Sequence, residues 1–128
     1  MKIDPSLGTK QDLENLCRKA KEQGIAVILD GVFSHTGDDS IYFNRKRRYD
    51  GVGAYNDYNS PYHNWYKFNN FPDDYTAWWG VPSLPETNET DGGFLEFITG
   101  KDGVLRYWLR CGIDGWRLDV AGGLPDEF

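Results

Sequence analysis

The chain has 128 residues, one domain's worth at most. Its 14 basic and 20 acidic side chains leave a net charge of -6, the wrong sign for wrapping nucleic acid. A hydrophobic share of 39% argues against disorder, and no run approaches the ~20 apolar residues of a membrane span.

The first element expected is a helix. Thr9 can cap it, with Asp12 three residues on as a variant of the capping box. Leu13, Leu16, Cys17 and Ala20 then fall on one stripe at helical spacing. Gly24 is placed to stop the helix. Ile25 to Leu29 is continuously apolar and reads as a strand buried on both faces, as in parallel sheets. Asp30 ends that strand and Gly31 turns the chain.

From about Thr36 to Gly100 no period is sustained, and the stretch is rich in Asn, Asp, Gly, Pro and aromatics. A structureless loop of that length is unusual, so it reads as a small inserted subdomain. Tyr55, Tyr58, Tyr62, Trp65, Tyr66, Phe68, Phe71, Tyr75, Trp78 and Trp79 crowd into it. Flat rings beside amides and carboxylates suit sugars, whose faces are apolar and whose edges carry hydroxyls. The competing reading is a mini-core built from aromatic area. The basic run Arg45-Lys46-Arg47-Arg48 reads as a solvated loop face.

The end of the chain repeats the grammar of its start. Val104, Leu105, Trp108, Leu109 and Cys111 form an apolar helix face, Gly112 stops it, and Ile113 to Val120 reads as a strand. Two helix–glycine–strand units around a long insert predict an α/β fold with a parallel sheet.

The chemistry-bearing residues gather at the strand ends, where ligands collect in such folds. Arg117 and Asp119 alternate onto one face of the last strand. A carboxylate two residues from a guanidinium is held ionised, as a nucleophile attacking a sugar carbon must be. The plain alternative is an Arg–Asp pair that only holds the sheet. Asp30 and His35 form a second cluster, which meets the first if the two strands are neighbours. A Ser–His–Asp hydrolase is disfavoured, because adjacent Ser34 and His35 are not expected to face each other. Cys17 and Cys111 suit neither a disulfide framework nor a metal knuckle, so two buried thiols are expected. With no apolar signal core at the N-terminus, a cytoplasmic location is expected.

Several of these segments resemble the α-amylase family of glycoside hydrolases. Asp30-Gly31-Val32-Phe33-Ser34-His35 is similar to its pattern Asp-x-Val-x-Asn-His, and Gly115-Trp116-Arg117-Leu118-Asp119-Val120-Ala121 to its Gly-x-Arg-x-Asp. Ser83-Leu84-Pro85-Glu86-Thr87-Asn88 resembles the short motif near the end of the inserted subdomain, and Ile3-Asp4-Pro5 with Leu7-Gly8-Thr9 the lead into the second helix. Trp78-Trp79-Gly80 and Trp116 are most like the neopullulanase, cyclomaltodextrinase and amylopullulanase branch.

The resemblance implies part of a (β/α)8 TIM barrel. Residues 1–37 would supply helix two and strand three, 38–100 an inserted subdomain B, and 101–128 helix three and strand four. The length is about half of the roughly 250 residues of a whole barrel, so a fragment of a larger enzyme is implied. The substrate would be an α-glucan or maltooligosaccharide with α-1,4 or α-1,6 linkages. Asp119 would be the nucleophile of a retaining mechanism, oriented by Arg117, while Asp30 and His35 bind the sugar and Trp78 and Trp79 stack on it. The family's general-acid Glu on strand five has no counterpart here, since Glu127 follows strand four too closely. The isolated chain is therefore expected to be inactive, and to self-associate or swap elements through open sheet edges. Ser34 stands where the family has an Asn that often ligates calcium, so no metal and no cofactor is expected. The rival readings are an inactive carbohydrate-binding relative and a structural fragment with no ligand.

Overall fold

A computed structural model describes all residues from Met1 to Phe128. They form two compact units, Met1–Gly31 with Glu96–Leu118, and Val32–Leu95 with Asp119–Phe128.

The first unit is α/β. Helix α1 spans Lys10–Glu22 and opens with a complete capping box. The Asp12 backbone N–H donates to Thr9 Oγ1 at 3.2 Å, and the Thr9 backbone N–H donates back to Asp12 Oδ2 at 2.7 Å. Gly24, at φ 71°, carries the chain out of the helix through the left-handed region that glycine tolerates. Strand β1 (Ile28–Gly31) follows. Helix α3 (Val104–Arg110) and strand β4 (Gly115–Leu118) close the unit. The two strands pair in parallel, with Ile28 opposite Gly115 and Asp30 opposite Arg117. Val27 and Asp114 extend the ladder: the Asp114 N–H donates to the Val27 carbonyl at 2.7 Å, and Asp114 Oδ2 accepts from the Val27 N–H at 2.8 Å. Parallel neighbours need a long crossover, and everything from Val32 onward to α3 lies within this one.

Cys17, Ile98, Cys111 and Ile113 are the buried side chains here, and both cysteines are free thiols, as expected. Burial, then the nearby Asp114 and Cys111, pushes the Cys17 thiol above its ordinary pKa. Two expectations are corrected. The strands are shorter than Ile25–Leu29 and Ile113–Val120 predicted, and Asp30 lies inside β1 rather than ending it. Nor are they buried on both faces: Ile25 is 60% and Ile28 59% exposed. A two-stranded sheet has no neighbours to cover these positions, so apolar composition alone does not bury them. Beside the strands an apolar hollow of about 530 Å³ is lined by Ile3, Leu7, Leu13, Leu16, Leu29 and Trp108.

The second unit is built on aromatic rings. Phe43 is fully buried, with the rings of Tyr66, Tyr75, Tyr55 and Phe68 centred 4.8, 4.9, 5.6 and 5.9 Å away. Strands β2 (Phe68–Asn70) and β3 (Asp74–Tyr75) form a short antiparallel pair. Helix α2 spans Gly92–Thr99, where no helix was expected, and the boundary between the units falls within it, after Leu95. Its short run, Gly-Gly-Phe-Leu-Glu-Phe-Ile-Thr, is too brief and too uniformly apolar to show a helical period. The basic run is engaged within this unit. Lys46 and Arg45 approach the buried Asp38 at 3.4 and 3.9 Å, and Arg48 reaches Asp39 at 2.6 Å. The Arg45 guanidinium also lies over the rings of Tyr55 and Tyr75.

Candidate active site

In the first unit, the parallel register sets Asp30 directly against Arg117. The Arg117 guanidinium donates to Asp30 Oδ1 at 2.9 Å. Both side chains remain more than half exposed, 58% for Asp30 and 55% for Arg117. The pair is therefore open to solvent rather than a buried sheet bolt. Arg117 and Asp119 are expected on one face of the last strand; strand register also sets Arg117 against Asp30, and the hydrogen bond between those two joins the two motifs.

Asp119 stands one residue past β4, in a turn rather than in the strand, and groups with the second unit. The next residue, Val120, sits at φ 51°. A β-branched residue in the left-handed region is strained, and such strain clusters at functional sites.

In the second unit, His35 is held by the third motif. The Thr87 N–H donates to the Ser34 carbonyl at 3.0 Å, and the Thr36 N–H to the Pro85 carbonyl at 3.1 Å. His35 and Glu86 thus face each other in an antiparallel bridge. Thr87, fully buried, adds a hydrogen bond from its hydroxyl to the Phe33 carbonyl at 2.6 Å. This supporting role of Thr87 was not legible in the sequence; a β-branched hydroxyl between two motifs carries no signal of its own. The His35 ring stacks on Trp78 with centroids 5.0 Å apart and planes at 25°. Trp78 stacks in turn on Trp79 at 5.1 Å and 17°. Trp79 is 85% exposed and holds φ 52°.

The aromatic crowd therefore divides. Trp65 and Tyr66 are buried with Phe43 in the mini-core, while Trp79 presents its ring to solvent. Ser34 and His35 do touch, but not in the way a Ser–His–Asp hydrolase requires, where the serine meets Nε2. Ser34 Oγ lies 3.0 Å from His35 Nδ1, because the extended backbone pinned by Thr87 lets neighbouring side chains meet. Nδ1, the nitrogen a triad carboxylate would hold, is taken by Ser34 instead.

The family model for the catalytic domain of alpha amylase matches residues 1–127. The chain belongs to the α-amylase family. It is 42% identical over 146 aligned positions to an amylopullulanase of Thermoanaerobacterium saccharolyticum, covering 99% of this chain and 11% of that protein. It is 32% identical to a cyclomaltodextrinase of Geobacillus thermopakistaniensis, covering 98% and 21%. Among solved structures, the cyclic alpha-maltosyl-(1→6)-maltose hydrolase of Arthrobacter globiformis superposes with a TM-score of 0.79 at 31% identity, covering 97% of this chain and 27% of that one. The chain thus spans about a tenth of the amylopullulanase's length and about a quarter of that hydrolase's. Membership in the α-amylase family implies a (β/α)8 barrel for the catalytic domain, of which this chain holds a small part with few strands and helices. Its relatives are glycoside hydrolases by name, and the motif resemblance on Asp30–His35 and Gly115–Ala121 falls on the residues whose geometry is described above.

Proposed function

We propose that this chain is the strand-three to strand-four segment, with the inserted subdomain, of a retaining α-glucan hydrolase. The observation that carries the reading is the pairing of the two motifs. Asp30 and Arg117 come from different motifs and meet at the C-terminal ends of adjacent parallel strands. Catalytic groups of βα barrels collect at those ends.

Asp119, two residues beyond Arg117, is the nucleophile. Its carboxylate attacks the anomeric carbon, and the glycosidic C–O bond breaks as a glycosyl ester forms. The departing oxygen takes a proton from a second carboxyl, which the resemblance puts on strand five and which this chain does not supply. Water, deprotonated by that same group, then releases the sugar and restores Asp119. Arg117 and Asp30 form the charged rim of the site, Asp30 accepting hydrogen bonds from sugar hydroxyls. The resemblance gives His35 a hydrogen bond to the sugar as well, and within the second unit Trp79 with Trp78 beneath it offers a stacking face.

The test is reducing-sugar release from maltooligosaccharides and pullulan. An enzyme that carries this segment should lose at least ~10³-fold in rate on Asp119→Asn, the scale of removing a reacting group. An unchanged rate would overturn the assignment. The isolated chain should release nothing; release abolished by Asp119→Asn would mean that a carboxylate within these residues serves as the acid.

The exposed Trp79 favours one second reading, a carbohydrate-binding segment without catalysis. Under it, maltooligosaccharides quench Trp emission while Asp119→Asn changes no rate in the larger protein.

A further inference from the structure

From the Ser34–His35 contact we infer that Ser34 is a positioning residue that fixes the tautomer of His35, leaving Nε2–H as the donor offered to a sugar oxygen. The ligand half of this inference rests on the glucan reading above; the tautomer half does not.

The His35 ring is fixed by three separate contacts. Its backbone is clamped between the Thr87–Ser34 and Thr36–Pro85 hydrogen bonds. One face lies on Trp78. Its Nδ1 stands 3.0 Å from Ser34 Oγ. Ser34 is 6% exposed, and the imidazole is the hydrogen-bond partner of its hydroxyl. A hydroxyl carries one proton and a neutral imidazole one N–H, so two arrangements exist. If Nδ1–H donated to Ser34, the buried hydroxyl proton would lose its acceptor. If Ser34 donates to Nδ1, that proton is satisfied and only a lone pair goes unused. An orphaned buried donor costs more than an under-used acceptor. The hydroxyl therefore donates, Nδ1 accepts, and the ring proton resides on Nε2.

The consequence is a polarity at the ring edge. Nε2–H gives a hydrogen bond and takes none, which suits a sugar hydroxyl oxygen and refuses a donor. Which nitrogen carries the proton is set by the bond the other one makes. A chain with a non-polar residue at position 34 would leave the imidazole free to exchange tautomers, with part of its population unable to donate from Nε2.

Nitrogen-15 NMR of the 128-residue chain tests this directly, because it holds two histidines, His35 and His63. The His35 signals are assigned by their loss in His35→Gln. Spectra are taken about two pH units above the ordinary imidazole pKa of about 6.5. The wild-type chain should show His35 with Nε2 of the protonated type and Nδ1 of the unprotonated type. Ser34→Ala should move both shifts toward a common average, and Ser34→Thr, which keeps the hydroxyl, should restore the wild-type pattern. Titration with maltotriose should shift Nε2 more than Nδ1, and Ser34→Ala should weaken that binding about threefold to tenfold. A protonated Nδ1 in the wild-type chain, or shifts unmoved by Ser34→Ala, overturns the inference. The predicted tautomer with no response to maltotriose upholds the role of Ser34 and counts against the glucan reading instead.

Discussion

Asp30 and Arg117 share a hydrogen bond of 2.9 Å while each side chain is more than half exposed. Solvent screens such a pair, which contributes roughly 0–1 kcal/mol to stability. Arg117→Gln should therefore shift a thermal midpoint by only a few degrees, yet in an enzyme carrying this segment it should cost about 10²-fold or more in kcat. A large loss of stability with activity spared would make the pair structural. Trp79 poses the same question differently. It holds a left-handed backbone at φ 52° and buries almost none of its ring, so folding gains little from it. Trp79→Gly removes the strain and should leave the midpoint within about 2 °C, while abolishing most of the Trp emission change with maltooligosaccharides. If the variant quenches as the wild type does, the stacking face lies elsewhere.

At the scale of elements, α1 depends on a cap that titrates. Hydrogen bonds from the Thr9 hydroxyl and then its backbone N–H hold the Asp12 carboxyl below its ordinary pKa. A carboxyl depressed in the folded state contributes stability above its unfolded pKa and loses it as pH falls through the folded value. Thr9→Ala should cost about 1 kcal/mol at neutral pH, with the gap from wild type closing as pH drops below the ordinary Asp range. Far-UV circular dichroism melts across that range would show it. The second unit depends on Phe43 instead. Truncation to Ala removes the ring that Tyr55, Tyr66, Phe68 and Tyr75 surround, at about 3–5 kcal/mol. The adjoining turn tolerates no added atom: a Cβ at Gly53 would sit 2.5 Å from the Phe43 carbonyl oxygen. Both Phe43→Ala and Gly53→Ala should abolish near-UV dichroism from the aromatic cluster before far-UV signal is lost.

For the whole molecule the decisive feature is the two-stranded parallel sheet. Parallel sheets are ordinarily covered on both faces and flanked on both edges. Here Ile28, Leu118 and Leu16 are 59%, 43% and 57% exposed, beside an apolar hollow of about 530 Å³. Such a surface favours pairing with a further copy. Sedimentation of the isolated chain should show species larger than the 14.7 kDa monomer growing with concentration. A monomer with one sharp unfolding transition would overturn that expectation.

The two helix–glycine–strand units were legible because each carries local chemistry: Thr9 and Asp12 at a cap, Gly24 and Gly112 at positive φ, and apolar runs at strand length. Helix α2 and the β2–β3 pair were not legible, since neither is long enough to show a period. The motif residues were readable too, but not their partners. Arg117 pairs with Asp30 across 87 positions, and Thr87 reaches Phe33 across 54. The side chains at stake, their chemical types and their family were thus determined by the order of residues alone. That Arg117 meets Asp30, which rings are core and which face solvent, and what holds the imidazole were decided by strand register, by packing around Phe43 and by the bridge to Thr87, because hydrogen bonds and ring contacts depend on distance in space and not on spacing along the chain.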